Sequence, residues 1–109
     1  MGTRTTEKDN VGTIYMGLWK HTPETCPGRS KEGAKMLSEF WSRCAEWEKK
    51  GVKILGAWVT VTGHGYYIVV QSKDFAAVTE FFLPLCPTQT GDFVPVLTMD
   101  EWIMMNQSK

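Results

Sequence analysis

The sequence predicts a single α+β domain with the element order β-α-β-β-α-β, and three observations predict it. Gly51 to Val70 contains two extended, largely apolar runs joined by the glycine-flanked turn Gly63-His64-Gly65, a β-hairpin signal. A helical apolar pattern precedes that hairpin and another follows it. A further strand-like run sits towards each end of the chain. At 109 residues there is room for one domain with one core. That domain is expected over residues 11–105, between a flexible polar tail at 1–10 and a short C-terminal tail at 106–109.

The first strand is expected over Val11 to Lys20, with Ile14, Met16 and Leu18 on one face. Tyr15, Gly17 and Trp19 take the other face, and His21 follows them at the strand's C-terminal end. The loop from His21 to Lys31 is punctuated by Pro23, Pro27 and Gly28. The first helix is expected from about Ser30–Gly33 to Lys50, with Leu37, Phe40, Trp41, Cys44 and Trp47 as its apolar stripe. Lys49 and Lys50 suit its C-terminal dipole, and Gly51 suits the position just past its end. In the second strand Leu55, Ala57, Val59 and Val61 are expected on one face and Ile54, Gly56, Trp58 and Thr60 on the other. In the third, Tyr66, Ile68 and Val70 oppose Tyr67, Val69 and Gln71. Asp74 is an N-cap for a second helix that buries Phe75, Val78, Phe81, Phe82 and Leu85, closed by Pro84 and Pro87. Phe93 to Thr98 forms the last strand, where Pro95 demands an edge position or a bulge. Asp100 to Met105 is expected as a final helical turn.

Composition narrows the function classes. Lys plus Arg and Asp plus Glu are balanced at 12 each, so net charge gives no support to nucleic acid or anionic lipid as a partner. No apolar run approaches the roughly 20 residues needed to span a bilayer, and the N-terminus lacks a signal peptide's apolar stretch. Cys26, Cys44 and Cys86 form no Cys-x-x-Cys pair and are expected as reduced thiols, which points to the cytoplasm. Dinucleotide, P-loop, zinc-protease and serine-hydrolase motifs are absent.

Two helices cover one face of a four-stranded antiparallel sheet, yet both faces here are apolar. A second copy packed face to face would bury the other one, so a homodimer is expected.

The β-α-β-β-α-β order, with Gly51-Val-Lys-Ile-Leu-Gly-Ala-Trp58 entering the hairpin and Val94-Pro-Val-Leu97 in the last strand, resembles the dimeric α+β barrel superfamily of ferredoxin-like domains. Within it the chain is most similar to DUF3303-type proteins, a family without an assigned function. The resemblance spans about Val11 to Met104 and implies two helices on one sheet face, with pairing through the other. It also implies a ligand cavity between sheet and helices, with the end of the first strand at its mouth. The superfamily includes cofactor-free monooxygenases, isomerases, haem-degrading and haem-binding proteins and ligand-sensing domains, so the fold alone selects no reaction. The loop His21-Thr-Pro-Glu-Thr-Cys-Pro-Gly28 departs from the family pattern in being longer and richer in reactive side chains.

That loop is the first choice for a site. His21, Glu24 and Cys26 are suited to proton transfer, nucleophilic attack or metal binding and lie within six residues. The function expected is binding of a small apolar or aromatic molecule, with oxygenase- or isomerase-type chemistry through His21 as acid/base and Glu24 or Cys26 as helper. Tyr15, Trp19, Trp58 and Tyr66 would wall the substrate. The alternatives are a non-catalytic ligand-binding or structural dimer, and a metal or haem protein using His21 and Cys26, with Glu24 or His64 as further ligands. The spacing matches no standard metal motif, so no metal ligand set is assigned and the cofactor is unknown.

Overall fold

The computed structural model describes residues 12–86 and 89–107; the expected 1–10 tail, Val11, Pro87 and the last two residues lie outside them. Strand β1 (Thr13–Lys20) leads through two 3-10 turns, Pro23–Thr25 and Pro27–Arg29, into helix α1 (Lys31–Ser42). A short helix α2 (Cys44–Lys49) continues it, followed by β2 (Lys53–Thr60) and β3 (Gly65–Ser72). Helix α3 (Phe75–Phe82) ends in a 3-10 turn at Leu83–Leu85, and β4 (Thr90–Val96) and α4 (Met99–Gln107) complete the order. The strands form one four-stranded sheet in the order β2-β3-β1-β4, antiparallel at every pairing. Pro95, whose missing N–H would break a central ladder, lies on the edge strand β4 opposite Tyr15.

The expected first helix is broken at Arg43 (φ −87°, ψ −2°) into α1 and α2. The Ser42 hydroxyl donates to the Glu39 carbonyl at 2.8 Å and so competes for a helical acceptor. Both pieces still deliver their aromatics to the core: Phe40 and Trp47 lie 5.3 and 5.7 Å from Phe81, ring centre to ring centre. Gly51, at φ +97°, turns the chain out of α2 as its composition predicts. Ser30 caps α1 by accepting from Gly33 N–H at 3.0 Å, and Asp74 caps α3 by accepting from Ala76 and Ala77 N–H.

The core fills the sheet face beneath these helices. Tyr15 and Trp19 of β1, Tyr66, Ile68 and Val70 of β3, Phe40 of α1 and Val78, Phe81 and Phe82 of α3 are buried there. Gly17 lies between Tyr15 and Trp19 because a Cβ there would sit 2.7 Å from the Phe82 ring. Two face assignments shift from expectation. The register slips between Ile54 and Gly56, a bulge at Leu55 that turns Ile54 onto the core face with Ala57 and leaves Leu55 exposed. Phe75 is 59% exposed in the first turn of α3, although its ring still meets Tyr15 and Phe93.

The opposite sheet face carries no helix of this kind. Met16, Leu18, Tyr67 and Val94 are exposed across three strands, and Trp58 joins them from β2. Helix α4 is apolar and open as well, with Met99, Trp102, Ile103 and Met105 exposed. No helix among the described residues is long and apolar enough to cross a membrane.

Phe82 joins both parts of the aromatic core: it stacks on Trp19 and Phe93 and meets Phe81 edge-on at 5.0 Å. Phe82→Ala is expected to cost about 3–5 kcal/mol, read as a lowered urea midpoint at an unchanged or slightly smaller m-value.

Candidate functional site

The site forms where three strands end together. Lys20 pairs with Gly65 of β3 on one side and with Thr90 of β4 on the other. One further step in each register sets His21 between His64 and Gln89, in a row across the sheet end. The backbone continues the pairing on the first side, His21 N–H donating to the His64 carbonyl at 3.0 Å. Side chains continue it on the second, His21 Nδ1 bonding Gln89 Oε1 at 2.7 Å. An amide oxygen can only accept, so Nδ1 is the donor, and a neutral ring then has its lone pair on Nε2. The His21 ring lies 5.4 Å from Tyr66 and meets the His64 ring edge-on at 5.5 Å.

Cys26 reaches this row through a folded loop. Thr22 and Thr25 form a reciprocal capping box, Thr22 N–H donating to Thr25 Oγ1 at 3.1 Å and Thr25 N–H to Thr22 Oγ1 at 3.3 Å. Arg29 N–H then bonds the Cys26 carbonyl at 3.0 Å, and Pro27 is buried against the first turn of α1. Gly33 permits that contact, since a Cβ there would stand 2.8 Å from Pro27 Cα and O. The chain is thereby turned back so that Cys26 Sγ and one ring nitrogen from each of His21 and His64 lie within 4.8 Å of one another, all on half-buried residues. His21 Nε2 and His64 Nδ1 are buried without a hydrogen-bond partner.

Of the residues the sequence nominates for chemistry, His21 and Cys26 come together, while Glu24 is exposed and outside the cluster. Of the expected wall, Tyr66 sits between the cluster and a cavity of about 410 Å3 enclosed by α1, β2 and β3. Trp58 also lines that cavity, and Leu37, Phe40, Trp41 and Ile68 are among its other apolar walls. Trp19 and Tyr15 belong to the packed core instead, Trp19 stacked on Phe82 at 5.6 Å and Tyr15 against Phe75 and Phe93. Cys26 and Glu24 border a second, more polar recess beside the start of α1. Burial pushes the Tyr66 hydroxyl pKa up, and the charge of a nearby Cys26 thiolate adds to the effect.

Gln89 is the member sequence reasoning left out of the site, and His64 entered it only as a further ligand of the metal alternative. The signal for His64 was the register itself: antiparallel pairing of β1 with β3 carries the chain's two histidines to opposite positions. A glutamine after a turn has no comparable mark.

Fold and site together define a small α+β protein with an apolar cavity and a His–Cys cluster at one end of its sheet. The chain belongs to the DUF3303 family, a domain of unknown function, whose family model matches residues 13–109. No curated protein matches it.

The other cysteines differ in exposure: Cys86 is exposed, while Cys44 is half-buried on the core side of the helix break. Burial raises the Cys44 thiol pKa, which lowers its reactive thiolate fraction at any pH below that pKa. At pH 8, alkylation mapped by mass spectrometry should therefore label Cys44 more slowly in the folded chain than in urea. Cys86 should keep nearly its unfolded rate.

Proposed function

We propose that this protein is a ferredoxin-like, dimeric α+β barrel protein that binds a small, flat, apolar or aromatic molecule in the cavity between its sheet and α1. The observation that carries the proposal is that cavity: about 410 Å3, walled by Leu37, Phe40, Trp41 and Ile68, with Tyr66 also in its lining. Its volume lies within the range of small-molecule sites, and apolar walls with few polar groups suit such ligands. Binding is favoured over turnover by the first loop alone, since His21, Glu24 and Cys26 are outside the cavity lining. Acid–base chemistry of the oxygenase or isomerase type would need a substrate that extends past Tyr66 towards His21.

The strand order β2-β3-β1-β4 with helices over one face supports the ferredoxin-like assignment. The second copy is supported by the other face, where Met16, Leu18, Tyr67 and Val94 are exposed side by side on β1, β3 and β4, with Asp92 opposite Leu18 as the adjoining charge. Such a surface is self-complementary about a two-fold axis and is costly to leave in water.

Two measurements test these statements separately. With 2-naphthol as probe, saturable quenching of tryptophan fluorescence is expected, and Leu37→Trp should fill the cavity and weaken binding at least about tenfold, or 1.4 kcal/mol. Equal quenching by wild type and variant would sink the cavity assignment. Native mass spectrometry should show a dimer for the wild type and a monomer for Leu18→Glu, which places a charge in the centre of the apolar face. A wild-type chain that is monomeric at micromolar concentration would remove the pairing and leave the cavity untouched.

A further inference from the structure

The cluster at the sheet end has the composition and the unmet valences of a metal centre. It holds two imidazoles and one thiol, their ligand atoms within 4.8 Å of one another. Donor atoms bound to a tetrahedral Zn2+ lie roughly 3.5 Å apart, given bonds of about 2.0–2.3 Å. Small side-chain rotations would therefore close the three onto an ion. The two ring nitrogens that face away from other partners, His21 Nε2 and His64 Nδ1, are buried and accept no hydrogen bond. Buried polar atoms of native proteins are rarely left so, and each exception calls for a partner.

A further observation concerns the other side of the His21 ring. Gln89 is itself buried (5% exposed) and its Oε1 lies 2.7 Å from His21 Nδ1, an acceptor position that in the neutral ring leaves the lone pair on Nε2. Metal-binding histidines typically have such an acceptor behind them, orienting the ring and raising its basicity.

We propose that His21, Cys26 and His64 form a three-ligand site for a borderline-soft divalent ion of the Zn2+ class. Two nitrogens and a thiolate select such ions over Mg2+ or Ca2+, and no carboxylate joins the cluster among the described residues. On binding, Cys26 releases its thiol proton to solvent and no electron is transferred. Three protein ligands leave the fourth tetrahedral position to water or to a ligand's donor atom. The site goes beyond the cavity assignment and does not depend on it.

The test is a Co2+ titration of the full chain after removal of metal by chelation, followed by displacement with Zn2+. A thiolate-to-cobalt charge-transfer band that saturates at one ion per chain and disappears on adding Zn2+ is the expected result. Cys26→Ser should abolish the band, whereas Cys44→Ser and Cys86→Ser should retain it. Gln89→Ala, which keeps all three ligands, should weaken binding by about 10- to 100-fold. Circular dichroism of each variant confirms that it is folded, and His64→Ala serves as the second ligand variant if Cys26→Ser is not. Absence of the band in the wild type, or its persistence in folded Cys26→Ser, overturns the proposal. Because the readout is the thiolate band and not naphthol quenching, its failure is distinct from failure of the cavity assignment.

Discussion

Strand β1 runs between β3 and β4, antiparallel to both, and its register against each neighbour determines which residues can meet. Along the strand that register places Tyr15 and Trp19 with Tyr66, Val70 and Phe93 beneath the helices. At its end it places His21 between the hairpin turn and the start of β4. A one-residue slip would send every one of these side chains to the opposite face. The apolar pattern of β1 therefore secures the polar row as well as the core. Burial of Tyr15 and Trp19, together with the closeness of Phe82 to Gly17, makes that slip unfavourable.

The same alternation gives the sheet two unequal faces. One is closed by α1, α2 and α3, whose aromatics interlock through Phe81 and Phe82. The other keeps Met16, Leu18, Tyr67 and Val94 in contact with solvent. Hydrophobic burial is worth about 25 cal/mol per Å2, so covering the second face is a large term that the isolated chain leaves unrealised. Pro95 on β4 and the bulge in β2 bear on how copies can meet, because both disrupt regular strand addition at the sheet edges. Edges unsuited to extension are consistent with the proposed face-to-face pairing.

Much of this was legible in the sequence, and the misses share a physical origin. The hairpin, the Asp74 cap, the exclusion of Pro95 from a regular central strand and the faces of β1 and β3 follow from rules that act over a few residues. Leu55 shows where such rules stop. Strict alternation sets Leu55 beside Ala57, but one unpaired residue in the ladder reverses the strand before it, and the adjoining Gly56 is the one local mark of the slip. Arg43 is similar, since the apolar stripe runs across the helix break without interruption. Phe75 has the right spacing for burial but lies at the outer end of a helix whose placement is a tertiary matter. In the site, His21 and Cys26 were visible as reactive residues in one loop. Their approach to each other depends on the Thr22–Thr25 box and on Pro27 packing beside Gly33. His64 and Gln89 join through strand pairing between residues distant in sequence.

The unpaired buried nitrogens separate function from packing at the sheet end. Trp19 Nε1 is also buried and unpartnered, but it lies in the core with its ring stacked on Phe82, where shape and apolar contact compensate one lost hydrogen bond. His21 and His64 are different, because both rings belong to one cluster with a thiol and the His21 ring is oriented by Gln89. Leaving each unsatisfied costs about 1–3 kcal/mol, and apolar side chains would incur no such cost. His64 adds a further cost, holding a left-handed backbone (φ +54°) at a turn position that glycine would occupy without penalty. Stability alone would favour glycine at 64 and an apolar residue at 21. The proposed metal site would account for the side chains present there.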